Sequence, residues 1–193
     1  LISLLKVIDN PAQDIYLAAA MLGPVFGFTD DDLVRLRAQS AALQKEQNAG
    51  NAGKPARMSL YGALLLARQG RAEDPFTQKV NDFYDKLTAL RQMARSVPAE
   101  QLLEEIFATT GYLAALGVTE NGARRREDAR RFASFCAASG AGGISALVRA
   151  IDAAALAGST GQDTTPGGAR PGCVTVMTIH RSKGLQFPVV FVA

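Results

Sequence analysis

The chain's only histidine, His180, opens the polar loop His180-Arg-Ser-Lys-Gly184, which two apolar runs enclose, Val174 to Ile179 and Pro188 to Ala193. Both runs are short and rich in Val and Ile, the composition of strands covered on both faces of a parallel sheet. Ligands of open α/β sheets gather beyond the carboxyl ends of the strands, so Thr178 and the residues after it are where chemistry would sit. A hydroxyl and an imidazole can donate to phosphate oxygens, and a glycine such as Gly184 lets the backbone approach a bound group closely. Lys183 can pair with a phosphate; its stem can equally pack on the sheet edge with the amine in water.

Other chemistries are poorly served. Cys136 and Cys173 lack metal-ligand spacing, and with a single histidine no zinc site is expected. A phosphate-binding loop requires G-x-x-x-x-G-K-[ST]; the nearest string, Gly50-Asn-Ala-Gly-Lys-Pro55, has the wrong glycine spacing and a proline in place of the hydroxyl residue. A net charge of +3 is compatible with a phosphate-backbone partner, but an even scatter of lysines gives the same sum. No apolar run reaches membrane-spanning length and Leu1 to Ile8 is too short and lacks the flanks of a signal sequence, so a soluble, unanchored protein is expected, and the cysteines fit a reducing cytoplasm. The missing initiator Met, and an end inside an expected strand at Ala193, suggest a piece of a longer protein.

The elements that must position these residues are mostly helical. Leu1, Leu4, Leu5 and Ile8 recur at helical spacing before Pro11, and a short helix ends near Leu22. Thr29 can cap a helix whose first turn is Asp30, Asp31 and Asp32, acids well placed at the positive end of the dipole. The clearest helix starts at Pro75 with Asp74 as cap and buries Phe76, Val80, Phe83, Leu87 and Leu90. A further helix runs from Pro98 to Gly111 with Leu102, Leu103, Ile106 and Phe107 inward. The next, from about Arg124 to Ser139, buries Ala129, Phe132, Phe135 and Cys136 and turns five arginines outward; Ile144, Leu147, Val148 and Ile151 mark the last. Gln47 to Pro55 and Gly158 to Gly172 are linkers. The sum is mainly α, a bundle of five to seven helices, flanked by pieces of an α/β domain with one or two terminal strands. Phe76, Phe83, Phe107, Phe132 and Phe135 are expected in the core, not on base-stacking platforms.

Two polar features admit two readings each. Gly27, Phe28 and Thr29 form a turn at a helix start, a place where anions bind; the three acids that follow would repel a phosphate and favour a simple cap. Arg124, Arg125, Arg126, Arg130 and Arg131 could follow a DNA backbone, or form a solvated face with the interleaved Glu127 and Asp128.

The terminal block resembles motif V of superfamily 1 DNA helicases of the UvrD kind, written T-x-H-x-x-K-G-L-E-F-x-x-V-F, with Thr178, His180, Lys183, Gly184, Leu185, Phe187, Val190 and Phe191 in register. Gln186 departs from it, standing where the family has Glu. The amino-terminal string Leu4-Leu-Lys-Val-Ile-Asp-Asn-Pro-Ala-Gln-Asp14, followed by Gly27-Phe-Thr-Asp-Asp-Asp-Leu33, is similar to the AddA (RexA) helicase chains of the bacterial AddAB (RexAB) helicase/nucleases.

The resemblance implies a division into 1–28, a helical flank of the second RecA-like motor domain; 29–168, the accessory helical domain 2B; and 169–193, a motor segment with motif V. By resemblance, Thr178 and His180 contact single-stranded DNA, Gly184 and Gln186 face the nucleotide, and Gly27, Phe28 and Thr29 stand where related helicases touch duplex phosphates; Lys183, by its charge, and Arg125 and Arg130, by their place on a helix face, are the further candidates for DNA contact. ATP and Mg2+ would serve the full-length protein only. No catalytic set and no metal site is expected in this stretch, because the family's Walker B acids, arginine fingers and nuclease carboxylates have no counterpart here. Expected partners are DNA, an AddB-like companion chain and the remaining motor domains. The alternatives are a UvrD-like helicase without a nuclease, and a helical module whose basic face binds an acidic protein.

Overall fold

The computed structural model describes residues 1–47, 58–70 and 73–157, together with Thr178, Lys183 and residues 186–191. Among them are nine helices: α1 (Ile2–Asp9), α2 (Asp14–Met21), α3 (Asp30–Gln47), α4 (Leu60–Ala67), α5 (Pro75–Met93), α6 (Ala99–Thr110), α7 (Tyr112–Gly117), α8 (Gly122–Ala138) and α9 (Ile144–Leu156). One core joins them. Leu5, Leu17, Leu36, Leu64, Phe83, Ile106, Cys136 and Leu147, from eight of the nine helices, belong to a single buried cluster.

The helix boundaries follow local chemistry. Asn10 is extended ahead of Pro11 and closes α1. Thr29 and Asp32 form a reciprocal cap at the start of α3: the Thr29 amide donates to Asp32 Oδ2 at 3.0 Å, and the Asp32 amide to Thr29 Oγ1 at 3.2 Å. Pro75 occupies the first turn of α5, whose stripe Phe76, Val80, Phe83, Leu87 and Leu90 is buried as its spacing predicts. Asp74 sits at the cap position but makes no cap hydrogen bond; its carboxylate accepts instead from Arg35 at 2.7 Å and from the Thr77 hydroxyl at 3.2 Å. Gly111, left-handed at φ +62°, ends α6.

Of the nine helices among the described residues, seven, α3 to α9, lie in 29–168, within the expected five to seven, although α4 and α7 carry little periodic signal. Other expectations need correction. Phe135 is 44% exposed: Ala129 and Cys136, seven residues apart, hold the buried seam of α8, and Phe135 lies about 100° round the helix from Cys136. Phe107 and Phe132 are half-buried against the core, while Phe76 and Phe83 are inside it. Pro188 to Phe191 form no strand. Val189, Val190 and Phe191 are exposed, and a strand needs a paired neighbour, which no described residue supplies. The first apolar run, apart from Thr178, and the linker of residues 158–172 lie outside the described residues.

The first and last helices are pinned together. Lys6, buried, donates to Asp152 Oδ1 at 2.6 Å and to the Tyr16 hydroxyl at 3.0 Å, and the Ser145 hydroxyl donates to the Asp9 carboxylate. Those partners hold the Lys6 ammonium above its usual pKa despite its burial. A second knot gathers α2, α3 and α4: Asp14 accepts from Arg37 at 2.6 Å and from the Leu60 amide at 2.7 Å, while Arg37 also donates to the Met58 carbonyl at 2.6 Å. The segment 1–28 therefore shares its packing with the helices that follow it.

Candidate nucleic-acid interface

The turn before α3 is built on α5. Gly27 has φ +65° with open space where a side chain would go, and its carbonyl accepts from Lys79 Nζ at 3.0 Å. Lys79 also reaches Asp32 Oδ2 at 2.8 Å and lies 5.4 Å from the centre of the Phe28 ring. Phe28 itself is buried, edge-on to Phe83 at 5.7 Å, and Phe26 meets Phe83 in the same way at 4.8 Å. Phe28 thus anchors the turn, and the Thr29 amide is spent on Asp32. A carboxylate from within the helix takes the place an external anion would occupy, with Asp30 and Asp31 exposed beside it.

Burial raises the Asp32 pKa, yet hydrogen bonds from Lys79 and from the Thr29 amide and hydroxyl outweigh it and leave the carboxyl below its ordinary value. A lowered folded-state pKa contributes stability that is present above the unfolded value and is lost as pH falls through the folded one. Asp32→Asn should therefore shrink the stability difference between pH 7 and pH 3 measured by urea unfolding. An unchanged difference would show that this carboxyl does not govern the acid limb.

The arginine face is more open. Arg124, Arg125, Arg126, Arg130 and Arg131 are all exposed on α8. Arg131 pairs with Glu127 at 2.7 Å, and Arg124 stands 4.0 Å from Asp128. Helix α8 packs on α6 and α7, whereas the Gly27–Thr29 turn leans on α5, so the two sets of sequence-selected residues ride on different helices. Of the motif V residues, Thr178, Lys183 and Gln186 are exposed, and His180 and Gly184 lie outside the described residues.

Sequence reasoning missed an aromatic and cationic seam between α4 and α5, where the Tyr61 and Tyr84 rings stack at 6.4 Å and the Arg68 guanidinium lies 3.7 Å from the Tyr84 centre. Tyr61 on α4 and Arg68 at its carboxyl-terminal cap, seven residues apart, were the available signal. A groove of about 620 Å³ between α2, α3 and the start of α4 is lined by Ile15, Ala18, Leu33 and Met58 around the Asp14–Arg37 pair. Cys136 is buried in the core, and that burial pushes its thiol up to about 11, so it is no nucleophile.

No family model matches the chain. Among curated proteins, the A subunit of the ATP-dependent helicase/nuclease of Exiguobacterium sibiricum is 33% identical over 196 residues, taking in 100% of this chain and 15% of that protein. The proteins of the same name from Lacticaseibacillus casei and Thermoanaerobacter pseudethanolicus are 33% and 30% identical over 198 and 196 residues. The chain matches a segment of the ATP-dependent helicase/nuclease A subunits. It spans about 15% of the length of these curated relatives.

Within that segment, the described residues hold no group of three or more His, Cys, Asp or Glu side chains that could bind a metal ion, and Gln186 stands exposed. No described helix is long and apolar enough to cross a membrane.

Proposed function

We propose that this chain is the helical accessory region, residues 29–168, with motor-domain flanks 1–28 and 169–193, of an ATP-dependent helicase/nuclease that unwinds and trims double-strand DNA ends for recombinational repair. The observation that carries this reading is identity of 30–33% along the whole chain with proteins of that name. In the intact protein the helical region holds or orients the incoming duplex through Arg125 and Arg130, with Gly27, Phe28 and Thr29 as a second set of contacts at the turn before α3. Thr178, His180 and Lys183 meet the single strand, and Gly184 and Gln186 face the nucleotide. An AddB-like protein is the companion chain, and the assembly works in the bacterial cytoplasm.

The exposed arginines of α8 support the duplex-holding role, whereas at the turn Asp32 already occupies the Thr29 amide. The stretch by itself neither hydrolyses ATP nor cuts DNA. Titration of the chain with a fluorescent duplex carrying a single-stranded tail, at two salt concentrations, is expected to show weak, salt-sensitive binding without ATP turnover. Absence of binding at low salt would favour a helical module for an acidic protein.

A further inference from the structure

Helix α2 is apolar almost all round, as interior helices are, yet one side of it faces solvent. Of its eight residues only Asp14 is charged. Leu17 and Met21 are fully buried, whereas Ile15 is 81% exposed and Leu22, seven residues on and so on the same side, is 41% exposed. Single apolar side chains at a surface need no explanation; a row of them beside a groove does.

The groove lies between that row and α3. Helix α2 contributes Ile15 and Ala18, α3 contributes Leu33 and Arg37, and Met58 and Leu60 come from the start of α4, around a volume of about 620 Å³. Along α3 the positions Asp30, Leu33, Val34 and Arg37 are spaced i, i+3, i+4 and i+7, which sets them on one face about 10 Å long. Val34 on that face is 67% exposed. The charges inside the groove are already matched: Asp14 accepts from Arg37 and from the Leu60 amide, and Arg37 also donates to the Met58 carbonyl. Asp30 and Asp31, exposed at the start of α3, have no ion pair among the described residues, so the charge left over is negative.

We propose that this groove receives an amphipathic helix of another protein chain, with apolar residues spaced over two turns seated on Ile15, Leu33 and Val34 and a lysine or arginine over Asp30. Two apolar rows of two turns each match the anchor spacing of a helix laid in a groove. The unpaired acids favour a basic partner and repel nucleic acid and anionic membranes. Met58, with its flexible thioether, adapts to the side chains that enter. The rest of this chain supplies no such helix: Gln47 to Pro55 and Gly158 to Gly172 are rich in Gly, Asn, Thr and Pro, and Val174 to Ile179 and Pro188 to Ala193 are short β-branched runs without a basic face. A helix seated here meets none of the side chains of the arginine face, since α8 packs on α6 and α7.

The test is fluorescence anisotropy of the chain with two labelled helical peptides, one carrying leucines on one face and lysines on the other, the second with glutamates in place of the lysines. The lysine peptide should bind and the glutamate peptide should not. Ile15→Ser combined with Val34→Ser, at exposed positions where folding is spared, should weaken the lysine peptide by about tenfold or more, with circular dichroism melts unchanged. Asp30→Asn should weaken it about threefold at low salt and leave it unaffected at high salt. Val118→Ser, at a 90% exposed site on another part of the surface, should leave binding as it is. Equal binding of the two peptides, wild-type affinity in the Ile15→Ser, Val34→Ser variant, or no binding of the lysine peptide overturns the assignment. Sedimentation of wild type as a dimer that the same double variant dissociates would give the groove to a second copy of this chain and overturn it equally.

Discussion

Phe83→Ala is expected to cost the chain about 3–5 kcal/mol of folding stability, the range for deleting a fully buried aromatic ring. Phe83 is 1% exposed on α5, and it receives the edges of Phe26 and Phe28 from the turn before α3 at 4.8 and 5.7 Å. Its removal opens a cavity and also forfeits two edge-to-face contacts of about 0.5–1.5 kcal/mol each beyond their burial. The loss should spread to the turn, because Lys79 ties the same loop to α5 through the Gly27 carbonyl and Asp32. Chemical unfolding followed by circular dichroism measures it, with Phe135→Ala on half-exposed α8 as the control. A Phe83→Ala midpoint within error of that control would mean that the three rings do not hold the turn.

Gly122→Ala should be the second most damaging change, at about 2–3 kcal/mol. Replacing a helical glycine by alanine ordinarily stabilises by roughly 1 kcal/mol, so the sign itself is diagnostic. Here the new methyl would meet the Gly117 oxygen at 2.5 Å, the Leu116 oxygen at 2.6 Å and the Gly117 carbonyl carbon at 2.8 Å, all backbone atoms that cannot swing aside. Gly117→Ala is the matched comparison, since its methyl would touch only the flexible end of Arg126, at 3.4 Å. Thermal melts of the two variants should separate widely, with Gly122→Ala far the lower. Similar melting points would contradict the tight doubling-back of the chain between α7 and α8.

Where the sequence was legible, a single physical rule dominated. Helix α5 declares itself because Pro75 is tolerated at a helix start and apolar residues recur in steps of three and four. The cap at Thr29 was readable from the acids that follow it, although its reciprocal partner, Asp32, emerged only with the fold. Helix α4 was not readable, since Leu60-Tyr-Gly-Ala-Leu-Leu-Leu-Ala67 is apolar on every side and shows no period. Helix α7 was hidden by its six-residue length. At α8 the pattern set the arginines outward correctly but misjudged Phe135, because two small residues, Ala129 and Cys136, and not the large rings, mark the seam. The arginine face could be read as a face; which of its cations find partners depended on side-chain reach along the helix. Asp14 gave no sign of gathering α2, α3 and α4, since its partners lie 23 and 46 residues away.

The pinning of α1 to α9 by Lys6, Asp152, Asp9 and Ser145 brings the two ends of the helical bundle to one place. A unit whose entrance and exit are neighbours can be hosted on the surface of another fold as a single excursion of the backbone, without prying that host apart.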